Sequence, residues 1–114
     1  MAIYTTLPEL LNHVSNSYHD PKCINELQNG QWVNHSTEEM VTTIREMAVG
    51  FHQMGLKKGE TVGVYAPSTS TWVVIDMAIL IAGGITVPIF SNISQSGLEY
   101  IIGDSQMKTI FFFF

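Results

Sequence analysis

The sequence predicts an α/β fold in which an amino-terminal helix and a β-hairpin precede alternating helices and strands of a mostly parallel sheet. Two observations support this prediction. From residue 36 onward, helical periodicity alternates three times with short apolar β-branched runs, which is typical of a parallel sheet covered on both faces. Upstream, the dipeptide Asn29-Gly30 separates two short strand-like runs, and it favours the tight primed turn of a hairpin.

Periodicity and turn residues predict the individual elements along the chain. They are a helix over 6–18, hairpin strands over 23–27 and 32–33, a helix over 36–54, a strand over 61–66, a helix over 70–82, a strand over 85–90, a helix from 94 or 96 to about 104, and the start of another strand that reaches the phenylalanines 111–114.

Capping signals and one apolar stripe support these boundaries. Ser36 and Glu39 form a capping box at the start of the second helix, and Gly55 is expected to end that helix in the left-handed conformation. Either Ser94 or Ser96 is expected to cap the last helix. The second helix is expected to bury one apolar stripe: Met40, Val41, Ile44, Met47, Ala48, Phe51 and Met54.

The segment 72–81 is apolar almost all round, and a helix of this kind is normally enclosed on every side. A membrane span is disfavoured, because Asp76 would lie in hydrocarbon and Gly83-Gly84 and Pro88 would end the helix. We therefore expect no transmembrane segment. We expect instead that residues 1–114 are a single partial domain, with its carboxyl-terminal part absent, and that more protein or a second copy covers this helix. If a second copy of the chain covers the helix, the protein is a homo-oligomer.

Composition excludes several classes of function. The 114 residues carry a formal net charge of −5, so a nucleic-acid-binding surface is disfavoured. The single cysteine, Cys23, cannot form an internal disulfide, and the first residues lack the basic start and apolar core of a signal peptide. These features indicate a cytoplasmic protein, with peripheral attachment to a membrane left open.

Few residues suggest chemistry. The hydroxyl-rich loop 68–71 lies between a strand and a helix amino terminus, where backbone N–H groups can bind an anion. Ser70 or Ser68 as an ordinary N-cap needs no ligand, and helix caps are common, so we favour the cap over a phosphate site. A lone Asp76 on an apolar helix should be hydrogen-bonded or paired, which favours a structural role over a catalytic one. The remaining candidates have ordinary structural explanations: Gly55, Gly59 and Gly63, the histidines 13, 19, 35 and 52, Cys23, and the acids Glu38, Glu39 and Asp104. We assign no catalytic, cofactor-binding or metal-binding residue.

Residues 5–110 resemble the amino-terminal part of the adenylate-forming acyl-CoA synthetases, and most closely their long-chain fatty acyl branch. The matching segments are TLPELL at 6–11, GLKKGETV at 55–62, APSTSTW at 66–72, AILIAGGITVP at 78–88 and LEYIIGDS at 98–105. In physical terms these segments are helix ends, buried strands and a helix cap, so the resemblance covers the scaffold.

The resemblance implies a parent enzyme that makes an acyl-adenylate from a fatty acid and ATP with Mg²⁺, and then transfers the acyl group to CoA. The family's phosphate loop, which ends Gly-x-Pro-Lys-Gly, has no counterpart in this sequence. We therefore expect the amino-terminal portion of a long-chain fatty acid–CoA ligase that binds no cofactor and is inactive by itself. The alternative is a free-standing, non-catalytic oligomerisation or binding module built on the same scaffold.

Overall fold

The computed structural model describes residues 4–113, and it confirms the predicted α/β fold. Phe114, the last of the four terminal phenylalanines, lies outside the described residues. The elements follow one another as α1 (Leu7–Ser17), β1 (Ile24–Gln28), β2 (Gln31–His35), α2 (Thr37–Gln53), β3 (Thr61–Tyr65), α3 (Ser70–Ile81), β4 (Ile85–Ile89), α4 (Gln95–Ser105) and β5 (Thr109–Phe112).

Strands β3, β4 and β5 form a parallel sheet with β3 in the centre, in the order β4-β3-β5. Val62 and Val64 of β3 are completely buried in one core with α2 and α3. The connection from β4 to β5 crosses back over β3, so the right-handed crossover rule places α4 on the opposite face from α3. On the face away from α2 and α3, a side chain at Gly63 would collide with Met107 and Ile89. The predicted parallel sheet is confirmed.

The hairpin is separate from this sheet and is closed by a two-residue turn. Gln28 and Gln31 are the last paired residues of β1 and β2, which run antiparallel. Both turn residues are left-handed, with φ of 51° at Asn29 and 77° at Gly30, as a primed turn requires. The prediction from Asn29-Gly30 is confirmed.

The predicted ends of α2 are also confirmed. The Ser36 hydroxyl accepts a hydrogen bond from the Glu39 N–H at 3.1 Å. At the other end Gly55 has φ of 95°, its N–H donates to the His52 carbonyl, and the N–H of Leu56 donates to the Phe51 carbonyl. These two bonds form a Schellman motif, which satisfies carbonyls that the last helical turn leaves free.

The predicted apolar stripe on α2 is correct except at its last position. Val41, Ile44, Ala48 and Phe51 are buried, but Met54 is 72% exposed. Met54 is the C-cap of α2 and lies beyond Phe51, the last buried residue of the helix.

Helix α4 is capped by Ser94, whose hydroxyl accepts from the Gly97 N–H at 3.1 Å. Of the two serines that the sequence left open, the structure therefore uses Ser94 and not Ser96. The Ser105 side chain donates to the Ile101 carbonyl at 2.6 Å in the last turn.

Helix α3 packs against α1, α2 and the sheet through one face, where Val74, Ile75, Ala78 and Ile79 are buried. Val73 is 51% exposed, so within residues 4–113 the helix is not enclosed on every side. The expectation that Asp76 is hydrogen-bonded or paired is wrong for this part of the chain. Its side chain has no polar partner among the described residues. Because the side chain is only half-buried, water can solvate the carboxylate and a protein partner is not required. None of the described helices has the length and hydropathy needed to cross a bilayer.

Candidate functional site

A cleft of about 600 Å³ lies between the hairpin, the first half of α2 and the first turn of α3. Four apolar side chains line it: Ile24, Met40, Met47 and Val74. The rest of its lining is polar: Glu26, His35, Glu38, Glu39, Thr42, Thr43, Ser70 and Thr71. Three carboxylates are thus present, and the described lining contains no lysine or arginine.

The hairpin reaches α3 through Glu26. Glu26 occupies an inward position of β1, and its carboxylate accepts a hydrogen bond from the Ser70 hydroxyl. This hydrogen bond is the main reason that the pKa of Glu26 lies below its ordinary value of 4.5. The Gln28 side chain, His35 and the Ser70 backbone lower the same pKa further, while desolvation opposes them. Glu26 is therefore ionised at neutral pH.

This contact holds a carboxylate beside the amino terminus of α3. The N-cap residue is Thr69, whose side chain makes no capping hydrogen bond, and Ser70 is the first residue of the helix. The expectation that Ser70 or Ser68 is the N-cap is therefore wrong. An anion at a helix amino terminus is stabilised by the free N–H groups and by the helix dipole. The carboxylate of Glu26 provides that anion, so the position that the sequence suggested only as a disfavoured phosphate site lies beside a carboxylate of the protein itself.

Two histidine–glutamate pairs surround the amino terminus of α2. His19 Nδ1 is 2.6 Å from Glu38 Oε1, and His35 Nδ1 is 3.1 Å from Glu39 Oε2. The hydrogen bond from His19 lowers the pKa of Glu38, and the one from His35 lowers the pKa of Glu39. Both pairs are largely exposed, so they orient the hairpin and the preceding loop more than they stabilise the fold.

A buried contact joins the same loop to α2. Thr37 is 1% exposed, its N–H donates to the Asp20 carbonyl at 2.9 Å, and its hydroxyl accepts from the Asp20 N–H at 3.0 Å. The segment that leads into the hairpin is therefore held against the start of α2.

The other sequence candidates do not meet at this cleft. Gly55 caps α2, Gly59 donates its N–H to the Gly83 carbonyl, and Gly63 lies inside β3. Cys23 is exposed. Within residues 4–113, no three His, Cys, Asp or Glu side chains converge in a way that could hold a metal ion.

Sequence reasoning missed the role of Glu26. The available signal was its place in the alternation of β1, where Ile24 and Glu26 share the inward face. A carboxylate at an inward strand position needs a partner, but the partner, Ser70, lies 44 residues away.

Comparison with known proteins agrees with the resemblance found in the sequence. The model of the family described as AMP-binding enzyme matches residues 11–112. A long-chain-fatty-acid–CoA ligase of Mycobacterium bovis is 29% identical over 85 residues, which are 75% of this chain and 14% of that protein. A mitochondrial medium-chain acyl-CoA ligase of Rattus norvegicus is 35% identical over 65 residues, which are 57% of this chain and 11% of that protein. The chain thus spans about one seventh of the length of the curated relatives that it matches.

Solved structures show the same fold. A fatty acid AMP ligase from Legionella pneumophila superimposes with a TM-score of 0.81 at 17% identity, over 94% of this chain and 19% of that chain. The N-terminal subdomain of NpsA from Klebsiella oxytoca superimposes with a TM-score of 0.80 at 14% identity, over 97% of this chain and 28% of that chain. At these identities the likeness establishes the fold of this segment.

Proposed function

Because this chain belongs to the family of AMP-binding enzymes, we propose that it is the amino-terminal part of an ATP-dependent fatty acid–CoA ligase and that these residues alone do not form an acyl-adenylate. The parent enzyme would use a fatty acid, ATP with Mg²⁺, and CoA. Support comes from the names of the relatives, which are acyl-CoA ligases, and from the small share of their length that this chain spans.

The observation that carries the proposal is the occupied amino terminus of α3. A phosphate group placed there would have to displace the Glu26 carboxylate from Ser70, and it would lie in a cleft lined by Glu38 and Glu39 as well. The negative charges of these carboxylates would repel those of a phosphate group, so this position does not suit ATP. The described residues also offer no cluster for Mg²⁺. This segment therefore contributes scaffold, and we derive no chemical step from it.

The acyl chain length belongs to the proposal as well. Long-chain specificity is supported by the names of the relatives from Mycobacterium bovis and Xenopus laevis. The rat relative, named as a medium-chain ligase, is more similar over a shorter stretch. A cytoplasmic location stays a prediction.

The test is the exchange of labelled pyrophosphate into ATP, which reports acyl-adenylate formation. The purified chain is incubated with MgATP and either palmitate or octanoate, with the full-length Mycobacterium bovis relative as the positive control. Circular dichroism verifies that the chain is folded under the assay conditions. We expect no exchange above the level without protein. Exchange that requires the acid would refute the proposed inactivity.

One observation favours the alternative of an oligomerisation module. Large apolar side chains are exposed near both edge strands of the parallel sheet: Ile85 is 50% exposed, Phe90 75% and Phe112 67%. An unpaired edge strand with exposed apolar residues is a template for pairing with another chain. A chain that forms a defined dimer, and that gains no exchange activity when the parent enzyme's other segments are supplied, would support this alternative.

A further inference from the structure

We propose that the cleft between the hairpin, α2 and α3 binds small amphipathic cations, that is, ligands with an ammonium group and a short apolar body. No role in acyl-adenylate chemistry is needed for this, so the inference is independent of the proposed ligase function. It depends on the size of the cleft, its apolar side chains and the sign of its charge.

The size and the apolar part of the lining fit a small organic ligand. A volume of about 600 Å³ falls within the range of about 300–1,000 Å³ that is common for ligand pockets. Met40 and Met47 lie on one side of the cleft, and Val74 of α3 lies on another. Methionine side chains are flexible and polarizable, so they adapt to apolar groups of different shape.

The charge of the lining selects the class of ligand. Glu26, Glu38 and Glu39 all line the cleft, and no described lysine or arginine neutralises them there. Their protein partners are a serine, glutamine or histidine side chain, and each carboxylate has about four lone-pair sites. Acceptor capacity and negative charge therefore remain available to a ligand. A cation gains from both, whereas a fatty acid carboxylate is repelled.

Methyl resonances of methionine give a direct test. The probe is octyltrimethylammonium, titrated below the concentration at which it forms micelles, into protein labelled with ¹³C at its methionine methyl groups. We expect the signals of Met40 and Met47 to shift and to saturate. Those of Met77 and Met107, which do not line the cleft, should stay in place. Octanoate and octyl glucoside, which share the chain but not the charge, are the matched ligands.

Charge variants on α2 complete the test. Glu38→Gln and Glu39→Gln should each weaken binding by about threefold, since an exposed ion pair contributes modestly. Glu46→Gln is the control, because Glu46 is on the same helix but does not line the cleft. Binding should also weaken as salt is added.

Any of four results would overturn the inference: no saturating shift of Met40 and Met47, shifts spread evenly over all methionines, equal binding of octanoate, or equal effects of the Glu38, Glu39 and Glu46 substitutions. The exchange assay with palmitate is unaffected by any of them, so failure here is distinguishable from failure of the ligase proposal.

Discussion

Replacing Glu26 tests whether the hairpin stabilises the amino terminus of α3. In Glu26→Ala the Ser70 hydroxyl loses its carboxylate acceptor, and the amino terminus of α3 loses the nearby negative charge. Ser70→Ala removes the donor from the same contact and leaves the carboxylate. Glu26→Gln keeps an acceptor near Ser70 but removes the charge. These three variants separate the hydrogen bond from the electrostatic contribution of the carboxylate.

The expected magnitudes follow from the energetics of a hydrogen bond and of the helix dipole. Loss of an intramolecular hydrogen bond costs about 1 kcal/mol, and loss of a negative charge beside a helix amino terminus costs about 0.5 kcal/mol more. We therefore expect the free energy of unfolding to fall by about 1.5 kcal/mol in Glu26→Ala, about 1 kcal/mol in Ser70→Ala and about 0.5 kcal/mol in Glu26→Gln. For a domain of this size the largest of these losses lowers Tm by about 6 °C.

Urea unfolding and hydrogen exchange measure the effect. Tryptophan fluorescence is suitable because Trp72 is in the first turn of α3 and Trp32 is in β2. In Glu26→Ala the amide of Ser70 should exchange faster, while amides in the middle of α2 should not. Glu46→Ala, a change on the exposed face of α2, should alter the free energy of unfolding by less than about 0.5 kcal/mol.

The pH dependence has a definite sign. The pKa of Glu26 is lowered in the folded protein, so its stabilising effect is present above the ordinary value of 4.5 and is lost as pH falls through the folded-state pKa. The stability difference between the native sequence and Glu26→Gln should therefore shrink on acidification. Two results would refute a stabilising contact between Glu26 and Ser70. One is additive effects of Glu26→Ala and Ser70→Ala in the double variant. The other is a stability difference between the native sequence and Glu26→Gln that does not change with pH.

Other substitutions test the packing and the exposed edge. Gly55→Ala should destabilise the protein by about 1 kcal/mol because φ is 95° there, whereas Gly50→Ala, inside α2 with open space around it, should stabilise by about 0.5–1 kcal/mol in urea unfolding. Ile75→Ala should cost about 3 kcal/mol because the side chain is completely buried, and Val73→Ala, on the exposed side of α3, should cost less than about 0.5 kcal/mol. We also expect the chain to self-associate in light scattering. Phe112→Lys should reduce the apparent mass if β5 is the contact, Val73→Lys should do so if α3 is, and a native chain that stays monomeric at all concentrations would contradict both.

Local signals predicted most of the fold because the structure uses them locally. The Asn29-Gly30 turn, the Ser36 cap and the Gly55 stop each depend on residues within a few positions, and the structure has all three. The order β4-β3-β5 was not predicted, because strand order depends on contacts between segments far apart in the sequence. Met54 shows a second limit of sequence-based prediction. The exact end of a helix decides whether its last apolar residue is buried, and that end is difficult to predict to the residue.

The cleft could not be predicted, because its lining comes from four separate segments. The contact of Glu26 with Ser70 joins β1 to α3, and the contact of His19 with Glu38 joins the loop after α1 to α2. A sequence pattern shows that Glu26 faces inward, but it does not show what lies opposite. Local reasoning therefore favoured an ordinary N-cap at Ser68 or Ser70 and did not identify the carboxylate beside this helix terminus.

The Glu26 carboxylate explains why the amino terminus of α3 does not offer a binding site for an external anion, although this fold often binds ligands at such a position. In open parallel sheets, ligands usually bind beyond the carboxyl ends of the strands, where helix amino termini present free N–H groups. Strand β3 ends at Tyr65, and α3 begins at Ser70 just beyond it. The hairpin places Glu26 at this helix terminus and thereby makes the adjoining cleft negative. We expect the same carboxylates to disfavour a phosphate and to attract a cation. Under the proposed function, ATP would therefore bind elsewhere than at the amino terminus of α3.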